Sequence, residues 1–97
     1  GAILARRDLD DVHAREVDDA VRRSLQFART REEAIIDYVR AHATEMSDDV
    51  MRKHIGLYVN DFSDDVGSEG RAAVDTLFTR ASVAGLIPAD TRPEFVG

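Results

Sequence analysis

The sequence is 97 residues long, which is room for one domain and not for two. Apolar residues at 43% suffice for a core and exclude low-hydrophobicity disorder over most of the length, while 33% charged residues is ordinary for a solvated surface. A net charge of −6 argues against nucleic acid as the main partner, and the absence of cysteine excludes disulfides, thiolate metal sites and thiol nucleophiles.

The longest apolar run, residues 2–5, is far too short to cross a bilayer. Arg6 and Arg7 follow it directly, so it is no signal peptide, and a cytoplasmic location is expected. The arginines alternate with acids (Arg15 with Glu16, Asp18 and Asp19 with Arg22 and Arg23, Arg31 with Glu32 and Glu33), the pattern of a solvated helix surface.

Residues 2–5 read as a short strand for which the remaining sequence offers no partner, so it must dock on helices or belong to a sheet outside these residues. From Asp8 the period turns helical. Val17, Ala20, Val21, Leu25 and Ala28 recur at three- and four-residue spacing and predict a first helix over 10–28, with Asp8, Asp10 and Asp11 complementing the dipole at its start and Phe27 helping to close its end. Thr30 with Glu33 matches a capping box and opens a second helix, carried by Ile35, Ile36, Tyr38, Val39, Ala43 and Met46 to about Glu45.

Ser47, followed by Asp48 and Asp49, predicts the cap of a third helix running to Val59 on a face of Val50, Met51, His54, Ile55 and Tyr58, widened by Leu57 and Val59. Gly56 inside it costs about 1 kcal/mol against alanine and suggests close packing or a kink. Residues 60–67 read as a connector in which Phe62 turns inward. Ser68 and Glu69 open a last helix that buries Ala72, Ala73, Val74, Leu77, Phe78 and Ala81. Its stop is explicit: Gly85 as left-handed cap, Leu86 as the apolar contact, Pro88 forbidding continuation. The tail, 89–97, is expected to be extended or frayed. The fold class is therefore mainly α, a short N-terminal strand plus about four helices in one segment, 1–97.

No catalytic centre emerges. His13, His42 and His54 lack the i, i+4 spacing of a helical zinc site, and packed or surface histidine is the default, so no metal site is expected. Ser24, Ser47, Ser63 and Ser68 have no nucleophile-elbow context, and Ser47 and Ser68 read as caps. Gly67-Ser68-Glu69-Gly70 lacks the Lys-Ser/Thr and preceding strand of a phosphate loop, and Asp48-Asp49 and Asp64-Asp65 lack the spaced ligand set of a calcium loop. The corner from His54 to Gly70 is harder to dismiss. Its default reading is that Tyr58 packs and Asn60 caps; the functional alternative is that both line a ligand cleft or a domain interface.

The same corner carries a resemblance. Met51-Arg52-Lys53-His54-Ile55, then Leu57-Tyr58-Val59-Asn60-Asp61-Phe62-Ser63, then Gly67-Ser68-Glu69-Gly70-Arg71-Ala72-Ala73 resembles the C-terminal region of the 1,4-dihydroxy-6-naphthoate synthase family of the futalosine route to menaquinone. The opening Gly1-Ala2-Ile3-Leu4-Ala5-Arg6-Arg7-Asp8-Leu9 is similar to that family's strand-to-helix passage, and the likeness thins only after Pro88. The resemblance implies a two-lobed α/β fold like that of periplasmic binding proteins, with substrate held between the lobes. It implies a lyase step from cyclic dehypoxanthinyl futalosine to 1,4-dihydroxy-6-naphthoate, without metal or organic cofactor. This sequence is much shorter than that family, whose catalytic histidine lies upstream of these helices, so no catalytic residue is carried onto it and His54 does not inherit the role. The expected partner is then the missing N-terminal part of the same enzyme, with homo-oligomerisation through uncovered apolar faces as a further expectation. Two other readings stand beside it: a standalone helical dimerisation module, and a segment of the pathway's chorismate dehydratase.

Overall fold

A computed structural model describes residues 2–44 and 47–97. Five helices follow in chain order: α1 (Asp11–Thr30), α2 (Glu32–His42), α3 (Asp48–Tyr58), α4 (Asp61–Asp64) and α5 (Gly67–Val83). The starts of the first three helices and the ends of the first two obey dipole chemistry. Asp11 opens α1, Glu32 and Glu33 open α2, and Asp48 and Asp49 open α3, while Arg29 closes α1 and Arg40 and His42 close α2. Asp10 caps α1, its carboxylate accepting the His13 N–H at 3.0 Å. Ser47 occupies the N-cap of α3 as its sequence predicts.

Several expectations are corrected. The strand at 2–5 is not seen, and no strand occurs among the described residues. Backbone becomes a strand only by pairing, and no other strand among the described residues offers an edge. The connector contains a helical turn, α4, so the described residues form five helices. The Thr30 capping box does not form: Arg31 is the N-cap of α2, and the Thr30 hydroxyl donates backward to the carbonyls of Gln26 (2.9 Å) and Phe27 (3.2 Å). Thr30 therefore finishes α1 instead of starting α2, a local competition that helix-end hydroxyls commonly settle by back-bonding. Helix α2 stops at His42, and the expected end at Glu45 and the apolar position Met46 lie outside the described residues. Helix α5 begins at Gly67 with Val66 as N-cap, so Ser68 does not cap it. A β-carbon at Gly56 would meet nothing within 4 Å, and α3 runs through it unbroken, so neither close packing nor a break accounts for it.

Long-range order rests mainly on charge and on one close approach. Two ion pairs tie α2 to α3: Arg40 near the end of α2, whose Nε and Nη2 grip both oxygens of Asp48 at 2.9 and 2.6 Å, and Arg52 within α3, whose Nε donates to Glu32 at 2.7 Å. Helix α4 lies against α1, where Arg22 Nε donates to the Asp64 carbonyl at 3.3 Å and Arg29 pairs with Asp61 at 3.8 Å. Gly70 is buried in α5 because a β-carbon there would stand 2.4 Å from Val66 Cγ1 and 3.5 Å from the Phe62 ring. The last helix ends in a full Schellman motif, Leu86 N–H to Ala81 O and Gly85 N–H to Ser82 O, with Gly85 at φ +72°, although the Leu86 side chain itself stays exposed.

The tail opens with a turn, in which the Thr91 N–H donates to the Pro88 carbonyl at 3.1 Å, and then has no regular secondary structure, yet it is held by side chains. Arg7 pairs with Glu94 and donates to the Arg92 carbonyl, while Arg71 donates to the Gly97 carbonyl at 2.9 Å and lies 4.6 Å over the Phe95 ring. The clasp ties the two flanks of the segment together.

What is missing is a core. Among the described residues only Met51 and Gly70 are buried. Val17, Phe27, Val50, Leu57, Tyr58, Phe62 and Leu77 remain exposed, against the inward placing read from their spacing. The radius of gyration is 16.6 Å where about 12.5 Å suits a compact domain of this length. The accessible surface is 8092 Å² where a folded monomer of this mass shows about 5,500 Å². The pattern of the helices is that of buried elements, and about 2,500 Å² of surface that such a pattern covers is open.

Candidate functional site

The α3–α4 corner is built by local hydrogen bonds. The Val59 N–H closes α3 on the Ile55 carbonyl at 2.6 Å. Asn60 then leaves the helical region, its Oδ1 accepting the Phe62 N–H at 3.0 Å while its own N–H donates to Ser63 Oγ at 3.1 Å. Its Nδ2 donates to the Leu57 carbonyl at 3.3 Å. The Asn60 amide is thus engaged on both its oxygen and its nitrogen by the turn itself. Tyr58 is different: 62% of it is exposed, and its ring is tilted against that of His54 with centroids 4.9 Å apart. The structure therefore brings Tyr58 and Asn60 to one corner but leaves only the Tyr58 ring presented outward.

The other sequence candidates are dispersed. His42 stacks on Tyr38 at 4.2 Å and its Nδ1 sits 2.8 Å from the Tyr38 carbonyl, while His13 sits on the Asp10 carboxylate. Among the described residues no three histidine or carboxylate groups converge on a position that could hold a metal ion. The Gly67–Gly70 run forms the first turn of α5, and Asp65 Oδ1 already accepts the Gly67 N–H at 2.9 Å, an aspartate turn that sets a negative charge where a phosphate would have to sit. Two surface hollows, one lined by Arg6, Asp8 and Leu9 and another by Thr79, Ser82, Val83, Ala89 and Arg92, are open to solvent and include neither Tyr58 nor Asn60.

Electrostatics support architecture. Hydrogen bonding from Arg40 holds Asp48 below the usual carboxylate range despite the opposing effect of desolvation, and the same contact raises Arg40. The His13 amide and ring do the same to Asp10, and Glu32 raises Arg52. Asp64 Oδ1 is buried without a hydrogen-bond partner beside the Arg22 contact. Sequence spacing did not point to the close approach at Gly70 or to the Arg71 clasp. The Asp65-x-Gly67 spacing was a readable sign of the aspartate turn, whereas the clasp joins residues too far apart for any local pattern.

The chain is similar to known proteins along nearly all its length. The menaquinone biosynthesis family model matches residues 1–83. The chain is 52% identical over 96 residues to a 1,4-dihydroxy-6-naphtoate synthase of Thermus thermophilus, covering 99% of this chain and 35% of that protein. It is 48% identical over 89 residues to a protein of the same name from Streptomyces coelicolor, covering 92% of this chain and 32% of the relative. No solved structure matches it. The chain spans about a third of the length of these curated relatives, and it belongs to the menaquinone biosynthesis family.

Proposed function

We propose that this chain is the C-terminal segment of a 1,4-dihydroxy-6-naphthoate synthase, a cofactor-independent cytoplasmic lyase that acts on cyclic dehypoxanthinyl futalosine, and that the segment is inactive alone. The observation that carries this reading is the 52% identity to a synthase of that name along 99% of the chain. Both relatives bear the synthase name, which favours it over chorismate dehydratase. In this reading the helices cover one lobe of a two-lobed fold similar to periplasmic binding proteins. Residues 2–5, exposed and without secondary structure here, pair as a strand when that lobe's sheet is present. The uncovered surface supports this, because helices patterned for burial need a larger body to sit on. Tyr58 and Asn60 belong to the corner that meets the rest of the enzyme or its cleft.

The test is turnover. Full-length protein containing this segment is expected to convert cyclic dehypoxanthinyl futalosine to 1,4-dihydroxy-6-naphthoate, and the 97-residue chain to show none. Turnover by the isolated chain overturns its inactivity, and a full-length protein that acts on chorismate instead overturns the assignment.

A further inference from the structure

Resting on the segment reading above, we propose that the stripe of Val50, His54, Leu57 and Tyr58 on α3, continued by Phe62 on α4, is the surface against which the remaining two thirds of the parent polypeptide is seated.

Helix α3 has two faces. At 100° per residue, Met51 and Ile55 point with Asp48 and Arg52 toward the α2 ion pairs, Met51 buried and Ile55 38% exposed, while Tyr58, about 20° from Met51, stands at the border between that face and the next. Val50, His54, Leu57 and Tyr58 fall at i, i+4, i+7 and i+8, the spacing of a face built for burial. Yet Val50 is 47%, Leu57 68% and Tyr58 62% exposed, and Phe62, four residues beyond the end of the helix, is 55% exposed. The outer face of α2 offers a contrast on the same hairpin. There Tyr38 is exposed but stands among Asp37, Ala34, Ala41 and His42, with its ring stacked on His42, so no apolar stripe continues from it.

Area and length decide the occupant. The open surface exceeds that of a compact monomer by about 2,500 Å², whereas one partner of a standard dimer covers about 800 Å². A second copy on one face therefore leaves most of the excess uncovered, and two chains of charge −6 repel. The relatives place about two thirds of their length outside the region matched here, a body large enough to cover it. That body must offer apolar groups to Val50, Leu57 and Phe62 and a hydrogen-bond partner to the Tyr58 hydroxyl, which is seldom buried without one.

Tyr38 and Tyr58 are the chain's two tyrosines, which makes the test internal. Hydroxyl-radical labelling read by mass spectrometry should modify both in the 97-residue chain, whereas in full-length protein labelling of Tyr58 should fall severalfold while Tyr38 keeps its reactivity. Leu57→Ala should lower the melting temperature of the full-length protein and leave the helicity of the isolated chain unchanged. Equal labelling of Tyr58 in both forms overturns the proposal. So does protection of Tyr58 in the isolated chain that grows with concentration, which assigns the stripe to a second copy. Synthase turnover is read on the same full-length sample. An active enzyme with Tyr58 open refutes the surface alone, and a protected Tyr58 in a protein without synthase activity refutes the function alone.

Discussion

Gly56 and Gly85 both sit where an added methyl group would meet no atom within 4 Å, yet alanine should act on them with opposite sign. Gly56 lies inside α3, where alanine gains about 1 kcal/mol by restricting the unfolded chain and favouring helix. Gly85 is held at φ +72° by the Schellman bonds to Ala81 and Ser82. A side chain in that left-handed region costs about 1–2 kcal/mol, offset in part by the same unfolded-state restriction, for a net loss of about 1 kcal/mol. Sterics are equal at the two sites, so the difference isolates backbone conformation. The slope of stability with urea should lie near the low end for small proteins, about 1 kcal/mol per M, because so little surface is removed on folding. Each substitution should then move the urea midpoint, followed by far-ultraviolet circular dichroism, by about 1 M, Gly56→Ala upward and Gly85→Ala downward. A neutral Gly85→Ala would refute the left-handed cap, and a destabilising Gly56→Ala would refute the open surroundings of α3.

Asn60→Ala removes an acceptor from the start of α4 and should cost about 1 kcal/mol in the same urea titration; a change indistinguishable from zero would mean the corner is not held by this side chain. Arg71→Ala should free the tail, seen as faster hydrogen exchange and proteolysis over 92–97 with α5 unaffected; unchanged protection there would count against the clasp. The Asp48–Arg40 contact sets a pH dependence. Asp48 titrates below its unfolded value of 3.8 because it is hydrogen-bonded by Arg40, so its contribution is complete above that value and is lost as pH falls through the lower, folded one. Asp48→Asn should therefore weaken the α2–α3 hairpin at neutral pH and match the unsubstituted chain in strong acid. Equal stability at neutral pH would show that the ion pair contributes nothing.

What a sequence reveals here depends on how local the deciding interaction is. Ser47 before Asp48-Asp49, Asp10 before α1, and Gly85-Leu86 before Pro88 are each read within a single turn of chain, and each sits at the helix boundary its pattern implies. Thr30 could serve either the helix behind it or the one ahead, and spacing alone does not say which carbonyl or amide wins. Asn60 and Ser63 carry their own three-residue reciprocity, a capping box that the reading as a connector passed over. A strand at 2–5 and the burial of Val50, Leu57 and Tyr58 were expectations about non-local contacts, which pairing and coverage decide and spacing does not; among the described residues neither is seen. For the candidate corner, Asn60's part was therefore legible in the residues beside it. Tyr58's position on α3 was legible too, but not its open presentation.

The grip of Arg7 on residues 92–94 brings the stretch before α1 alongside the stretch after α5. The two flanks of the helices share one doorway, and the helices between them form a closed loop hung from that point. Such a loop suits circular permutation: a short linker between the flanks, with new termini opened at the Arg31 junction of α1 and α2, breaks no helix. Because the cost of closing a flexible loop grows only with the logarithm of its length, the linker's length is a mild constraint and its placement at the doorway a strict one.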